Sequence, residues 1–67
     1  MNAGIFKGDN RKFGVEEIGG GVIYEADFSK RAAVRIAQLE NRENPPKDWL
    51  ETRAILRREG FRIRGKE

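Results

Sequence analysis

Arginine is the residue type in this 67-residue chain whose number and spacing point to a chemical role. Six bases and two acids lie between position 53 and the C-terminus, which gives this segment a net charge of +4. The preceding residues hold eight bases and nine acids, a net charge of −1. A localised excess of guanidinium groups is typical of a surface that binds phosphates or an acidic protein. The C-terminal bases are Arg53, Arg57, Arg58, Arg62, Arg64 and Lys66.

The side chains on which most enzyme chemistry depends are missing from the sequence. Without histidine or cysteine, the chain lacks the commonest general base, the commonest metal ligand and the thiol nucleophile. Glu16 and Glu17 are adjacent in a predicted strand, where they point to opposite faces and cannot act as an acid/base pair. Glycines 19–21 lack the Lys-Ser/Thr ending of a phosphate-binding loop and predict a turn. We therefore expect a non-enzymatic protein with neither cofactor nor metal.

The C-terminal arginines require a helix, a stop and a strand to position them. Asp48, with Glu51 three residues later, is a capping-box pattern that predicts the start of a helix. Gly60 suits a left-handed residue at the end of that helix. Apolar and basic residues then alternate through 61–64, which predicts a strand with one buried face and one wet face.

Upstream, the sequence predicts a β-hairpin. Two β-prone runs, 12–18 and 22–26, flank the glycine turn. We expect Phe13 and Val15 on one face of the first strand, and Val22 and Tyr24 together on one face of the second. Residues 1–10 predict an N-terminal arm or an edge strand.

A second helix is predicted after the hairpin, capped by Asp27 or Ser29. Arg31 and Arg35 are spaced i,i+4 on a polar stripe beside its apolar face, so their charges reinforce each other. The paired prolines within 41–47 end this helix. Its apolar face is predicted to contain Phe28, Ala32, Ile36 and Leu39.

These elements predict one small α+β domain, residues 1–67, in the order β-β-α-α-β. The sheet is expected to contain the hairpin and the C-terminal strand, with an N-terminal strand as an option, packed on the two helices. A chain of this length buries only about 60% of its unfolded surface, so a partner or a second copy would add stability. The absence of cysteine favours a cytoplasmic location, and no apolar run approaches the roughly 20 residues of a membrane span.

Residues 13–41 carry a resemblance based on patterning. A hairpin is followed by an Ala-rich amphipathic helix that ends in Leu-Glu-Asn. This order resembles the sheet-plus-helix outline of the arm-binding domains of tyrosine recombinases, and similar patterns occur in small bacterial and phage proteins. The resemblance covers less than half of the chain and includes no diagnostic motif, so we assign no family from it.

Three interpretations of the basic segment follow. The first is a nucleic-acid-associated module, such as a bacterial or phage accessory protein, whose bases make sequence-independent phosphate contacts. Arg31, Arg35 and Arg42 would extend this surface if the two helices lie side by side. The second is a small protein-binding module or inhibitor that docks on an acidic surface of a larger partner. A homodimer is compatible with both. The third is a solvated helix face and a charge-protected edge strand with no ligand.

Overall fold

A computed structural model describes residues 2–63 of the chain. Three antiparallel strands form one sheet in the spatial order β1-β2-β3, and two helices follow them in sequence. The predicted α+β class is therefore confirmed, whereas the element order is β-β-β-α-α. The elements are β1 (Ala3–Lys7), β2 (Phe13–Glu17), β3 (Val22–Phe28), α1 (Lys30–Glu40) and α2 (Trp49–Arg58).

The N-terminal residues form an edge strand of the sheet. β1 pairs with β2 in an antiparallel register that places Ile5 opposite Val15. The connecting loop is closed by a hydrogen bond of 2.8 Å from the Gly8 N–H to the Lys12 carbonyl. β1 thus corresponds to the N-terminal strand that the sequence analysis gave as an option.

β2 and β3 form the predicted hairpin, but its register contains irregularities. Val15 lies opposite Tyr24, and the next residue, Glu16, lies opposite Val22. Ile23 is therefore an extra residue in β3, a bulge that shifts the alternation of side chains. The expectation that Val22 and Tyr24 share a face is wrong, because the bulge turns Val22 away from the core, where it is 53% exposed.

α1 lies across the sheet and forms the centre of the core. Its N-cap is Ser29, whose hydroxyl oxygen accepts a hydrogen bond of 3.2 Å from the Ala32 N–H. The small alanine side chains let the helix approach β1 and β2 closely, so its apolar face is almost completely enclosed. The buried apolar residues of α1 are Ala32, Ala33, Ile36, Ala37 and Leu39.

The start of α2 is fixed by two side-chain caps. The carboxylate of Asp48 accepts a hydrogen bond of 3.0 Å from the Glu51 N–H, as the capping-box pattern predicts. The Glu51 carboxylate in turn accepts a hydrogen bond of 2.6 Å from the Lys47 N–H, one residue before the expected donor. Thr52 and Leu56 are the buried residues of this helix and hold it against α1.

Aromatic contacts anchor the first turn of α2 on β3. The ring of Trp49 lies 5.4 Å from that of Tyr24 and 5.5 Å from that of Phe28, with tilted planes. These distances are typical of favourable aromatic pairs. Leu50, the next residue, points away from this cluster and is 62% exposed. One side of α2 is thus docked, and the other side is in solvent.

The predicted C-terminal strand is wrong for the residues that the structure describes. Gly60 has a φ of 99°, and the following Phe61 N–H donates a 3.0 Å hydrogen bond to the Leu56 carbonyl. This turn wraps the chain over the end of α2, so that Ile63 is buried in the core without pairing to a strand. Arg64 and Lys66 lie outside the described residues.

A small polar cluster lies between the sheet and the helices. The Thr52 hydroxyl donates a 3.2 Å hydrogen bond to the Asp48 carbonyl and also interacts with the Tyr24 hydroxyl. Burial raises the pKa of Tyr24, an effect larger than the opposing one of this hydrogen bond. Burial likewise raises the pKa of the nearby Glu40 carboxyl. We assign these groups to the support of the fold, because they are enclosed by its elements.

The end of α1 is tied to β1 through one side-chain amide. The Oδ1 atom of Asn41, the C-cap residue, accepts a hydrogen bond of 2.7 Å from the Ala3 N–H. Its Nδ2 atom donates one of 3.0 Å to the Ala3 carbonyl. Both backbone polar groups of Ala3 are thereby satisfied by a residue 38 positions away.

Candidate phosphate-binding surface

Charge is segregated between the hairpin and the helical part of the protein. Residues 13–28 contain four acids and no base, whereas residues 30–63 contain nine bases and five acids. The acidic residues of the hairpin are Glu16, Glu17, Glu25 and Asp27. An anionic ligand would therefore be attracted to the helices and repelled by the hairpin.

The exposed side of α1 carries a row of basic side chains above a shallow depression. Arg31 and Arg35 are one helical turn apart, as predicted, and Lys30 lies beside them. The depression has a volume of about 310 Å³ and is open to solvent. Its lining consists of Lys30, Arg31, Val34, Arg35 and Gln38.

The best-defined ion pair of the described residues joins α1 to the end of α2. Arg35 donates two parallel hydrogen bonds to Glu59, from Nε to Oε1 at 2.9 Å and from Nη2 to Oε2 at 2.8 Å. Arg35 Nη1 also donates to the Gln38 amide oxygen at 3.3 Å. This bidentate geometry is the one with which a guanidinium group binds a carboxylate or a phosphate.

Three arginines lower the pKa of the Glu59 carboxylate. Its pKa is lowered first by the hydrogen bonds from Arg35, and further by the charges of Arg35, Arg42 and Arg58. The pKa of Arg35 is raised by the same pair. The local charge is therefore positive in spite of the ion pair. We refer to Lys30, Arg31, Arg35, Arg42 and Arg58 as the basic surface.

Arg31 is held at one end of the basic surface by an aromatic ring. Its guanidinium carbon lies 5.9 Å from the centre of the Phe61 ring, within the range of a cation–π contact. Phe61 itself packs against the core. Because the Phe61 ring contacts both the core and Arg31, it is poorly placed to stack on a nucleobase.

The other predicted site residues are distributed around the end of α2. Arg57 and Arg62 are exposed, whereas Arg53 is half-buried and already interacts within the protein. Arg53 and Arg57 are spaced i,i+4 on α2, and the charge of Arg58 contributes to the lowered pKa of Glu59. The structure thus brings Arg31 and Arg35 together at the depression and places the charges of Arg35 and Arg58 near Glu59. Arg64 and Lys66 fall outside the described part of the chain.

Lys30 and Glu59 were not among the site residues predicted from the sequence. Lys30 borders the depression, and its signal was the row Lys30, Val34 and Gln38 at i,i+4 spacing beside the arginine stripe. Glu59 was counted as an acid of the C-terminal segment, but its partner Arg35 is 24 residues away. No local sequence pattern connects those two positions, so the ion pair could not be predicted without the structure.

Chemically, the basic surface can bind anions through charge and paired N–H donors. Within residues 2–63, no group of three or more acidic, His or Cys side chains is placed to hold a metal ion. In the same range, no helix has the length and apolar character needed to cross a membrane.

Comparisons with known proteins assign no relative to this chain. No family model matches it. Neither a curated protein nor a solved structure matches it significantly.

Proposed function

We propose that the protein is a non-enzymatic nucleic-acid-associated module that contacts the phosphate backbone through the basic surface. The observation that carries this proposal is the bidentate pairing of Arg35 with the Glu59 carboxylate, to which the charges of Arg42 and Arg58 also contribute. A carboxylate and a phosphate are bound by guanidinium groups in the same bidentate manner. Glu59 marks a position where an incoming phosphate would find donors already arranged.

The mode of binding follows from which groups are available. The bases of α1 and the last turn of α2 present charge without exposed aromatic rings, because Trp49 and Phe61 pack against the core. Contacts to phosphates without base stacking give affinity with little sequence preference. We therefore expect similar binding to unrelated duplex sequences, with Arg57 and Arg62 adding contacts at the margin.

Glu59 gives a direct test, because its carboxylate competes with phosphate for Arg35. Glu59→Gln removes this competitor and is expected to increase affinity for an oligonucleotide. Glu43→Gln is the matched control, since it makes the same change of charge at an exposed residue of the interhelical loop. Fluorescence anisotropy with labelled duplex and single-stranded oligonucleotides would compare the two variants over a series of salt concentrations. An equal increase for both would contradict the role of the ion pair.

Salt dependence gives the second measurement. The double variant Arg42→Ser and Arg58→Ser should bind all sequences more weakly. The plot of log affinity against log salt has a negative slope, and its magnitude should decrease by about 2, because each lost phosphate contact removes about 0.9. Lys7→Ser with Lys12→Ser removes the same charge from the exposed β1–β2 end and should leave the slope nearly unchanged. Undetectable binding of wild type at low salt would refute the proposal. Together with co-purification of one defined protein, it would favour docking on an acidic partner.

A further inference from the structure

The end of the hairpin carries an exposed apolar patch with an acidic rim. Ile18 is 67% exposed and Val22 is 53% exposed. Glu16 of β2 lies opposite Val22 of β3 and opposite Gly4 of β1. The Ile18 side chain lies over Gly4. These side chains occupy the sheet face turned away from α1, since Val15 on the other face is fully buried. We define the hairpin patch as Glu16, Ile18 and Val22.

The outer side of α2 carries the complementary arrangement. Leu50 is 62% exposed, and Ala54 and Arg57 follow it at i+4 and i+7, so the three side chains lie along one side of the helix. This side faces solvent, because Thr52 and Leu56 direct the opposite side into the core. We define the helix patch as Leu50, Ala54 and Arg57. It has an apolar centre and a basic edge.

Charge decides which contacts these two patches favour. Two hairpin patches placed face to face would bring Glu16 against its own copy, and two helix patches would oppose Arg57 to Arg57. Like charges at an interface are unfavourable, whereas an acidic rim against a basic edge is attractive. Each patch also offers an exposed aliphatic side chain that the other can cover.

We infer that the protein associates head to tail with a second copy of itself, the hairpin patch of one molecule contacting the helix patch of the next. The occupant is a second copy because the same chain carries both complementary surfaces at equal concentration. A contact of this kind is heterologous, so each added molecule leaves one patch of each type open at the ends. Growth continues with concentration unless the rotation between copies closes a ring.

Two single variants test this inference in the absence of nucleic acid. Ile18→Lys blocks the hairpin patch and Leu50→Glu blocks the helix patch, both at exposed positions that the core does not use. In sedimentation velocity at low salt, the mean mass of wild type should rise with concentration and fall with added salt. Each variant alone should remain monomeric, its association weakened about tenfold or more.

The decisive sample is an equimolar mixture of the two variants. One intact hairpin patch and one intact helix patch remain in the mixture, on different molecules, so it should form a 1:1 dimer that does not grow further. Val22→Lys and Ala54→Glu form a second pair with the same expected outcome, should either first variant fold poorly. A wild type that stays monomeric throughout would overturn the inference. So would a mixture that stays monomeric, or a variant that still self-associates alone.

Discussion

Replacing Leu56 by Ala tests whether one buried side chain holds α2, and with it part of the basic surface, against the rest of the protein. Leu56 and Thr52 are the buried residues of α2, and Leu56 is the larger of the two. Removing its isopropyl group would leave a void at the contact with α1 that the surrounding side chains fill only in part. We therefore expect α2 to undock more easily than α1.

The size of the effect follows from burial. A Leu→Ala change at a fully buried position costs about 2–5 kcal/mol. A chain of 67 residues has a free energy of unfolding of about 3–10 kcal/mol, at 0.05–0.15 kcal/mol per residue. Leu56→Ala should therefore remove a large share of the total stability. Leu50→Ala is the matched control, since it makes the same change in the same helix at an exposed position and should cost no more than about 0.5 kcal/mol.

Urea unfolding would measure both variants, followed by far-UV circular dichroism and by tryptophan fluorescence. Trp49 is the only tryptophan, and its ring contacts Tyr24 and Phe28, so its emission reports whether the start of α2 is docked. Equal costs for Leu56→Ala and Leu50→Ala would refute the claim that burial of this side chain fixes the helix.

Two further predictions concern the sheet and a buried carboxyl group. Gly14→Ala should destabilise the protein by about 1–3 kcal/mol in urea unfolding, because its Cβ would lie 2.6 Å from the Phe6 ring and 2.5 Å from the Tyr24 carbonyl oxygen. Gly21→Ala, where a Cβ would meet nothing within 4 Å, is the control, and an equal cost there would contradict this reasoning. Burial raises the folded-state pKa of Glu40 above its unfolded-state pKa. The contribution of Glu40 to stability therefore falls as the pH rises from the unfolded-state pKa through the folded-state pKa. Glu40→Gln should therefore be more stable than wild type at neutral pH. Urea unfolding at a series of pH values should show a weaker dependence of stability on pH for this variant over that range. An unchanged dependence would refute the claim that the Glu40 pKa is raised in the folded protein.

Features set by neighbouring residues were predictable from the sequence. The Asp48 cap, the Gly60 stop and the turn between β2 and β3 each depend on backbone groups within a few residues. The same reasoning failed at 61–63, where alternation of apolar and basic residues fits a buried irregular segment as well as a strand. The third strand came instead from the N-terminal residues, which were predicted only as an arm or an edge strand, because local composition does not specify which strands pair.

The candidate site was predictable in composition but not in arrangement. Arg31 and Arg35 were expected on one stripe because helical spacing fixes their relation. Whether this stripe would meet α2 depended on the packing of Leu39 and Leu56, two buried residues of different helices. The bidentate partner of Arg35 also came from that packing, since Glu59 follows α2.

The amide of Asn41 offers the same donor and acceptor as a peptide group, and it occupies the place that another strand would take beside Ala3. A foreign β-strand could extend the sheet at this residue only after displacing that amide, which protects the edge from aggregation. The bond also spans the interval from the first strand to the end of α1. Fraying of that helix end and peeling of β1 are thereby coupled, so the two ends of this segment should open as a single cooperative unit.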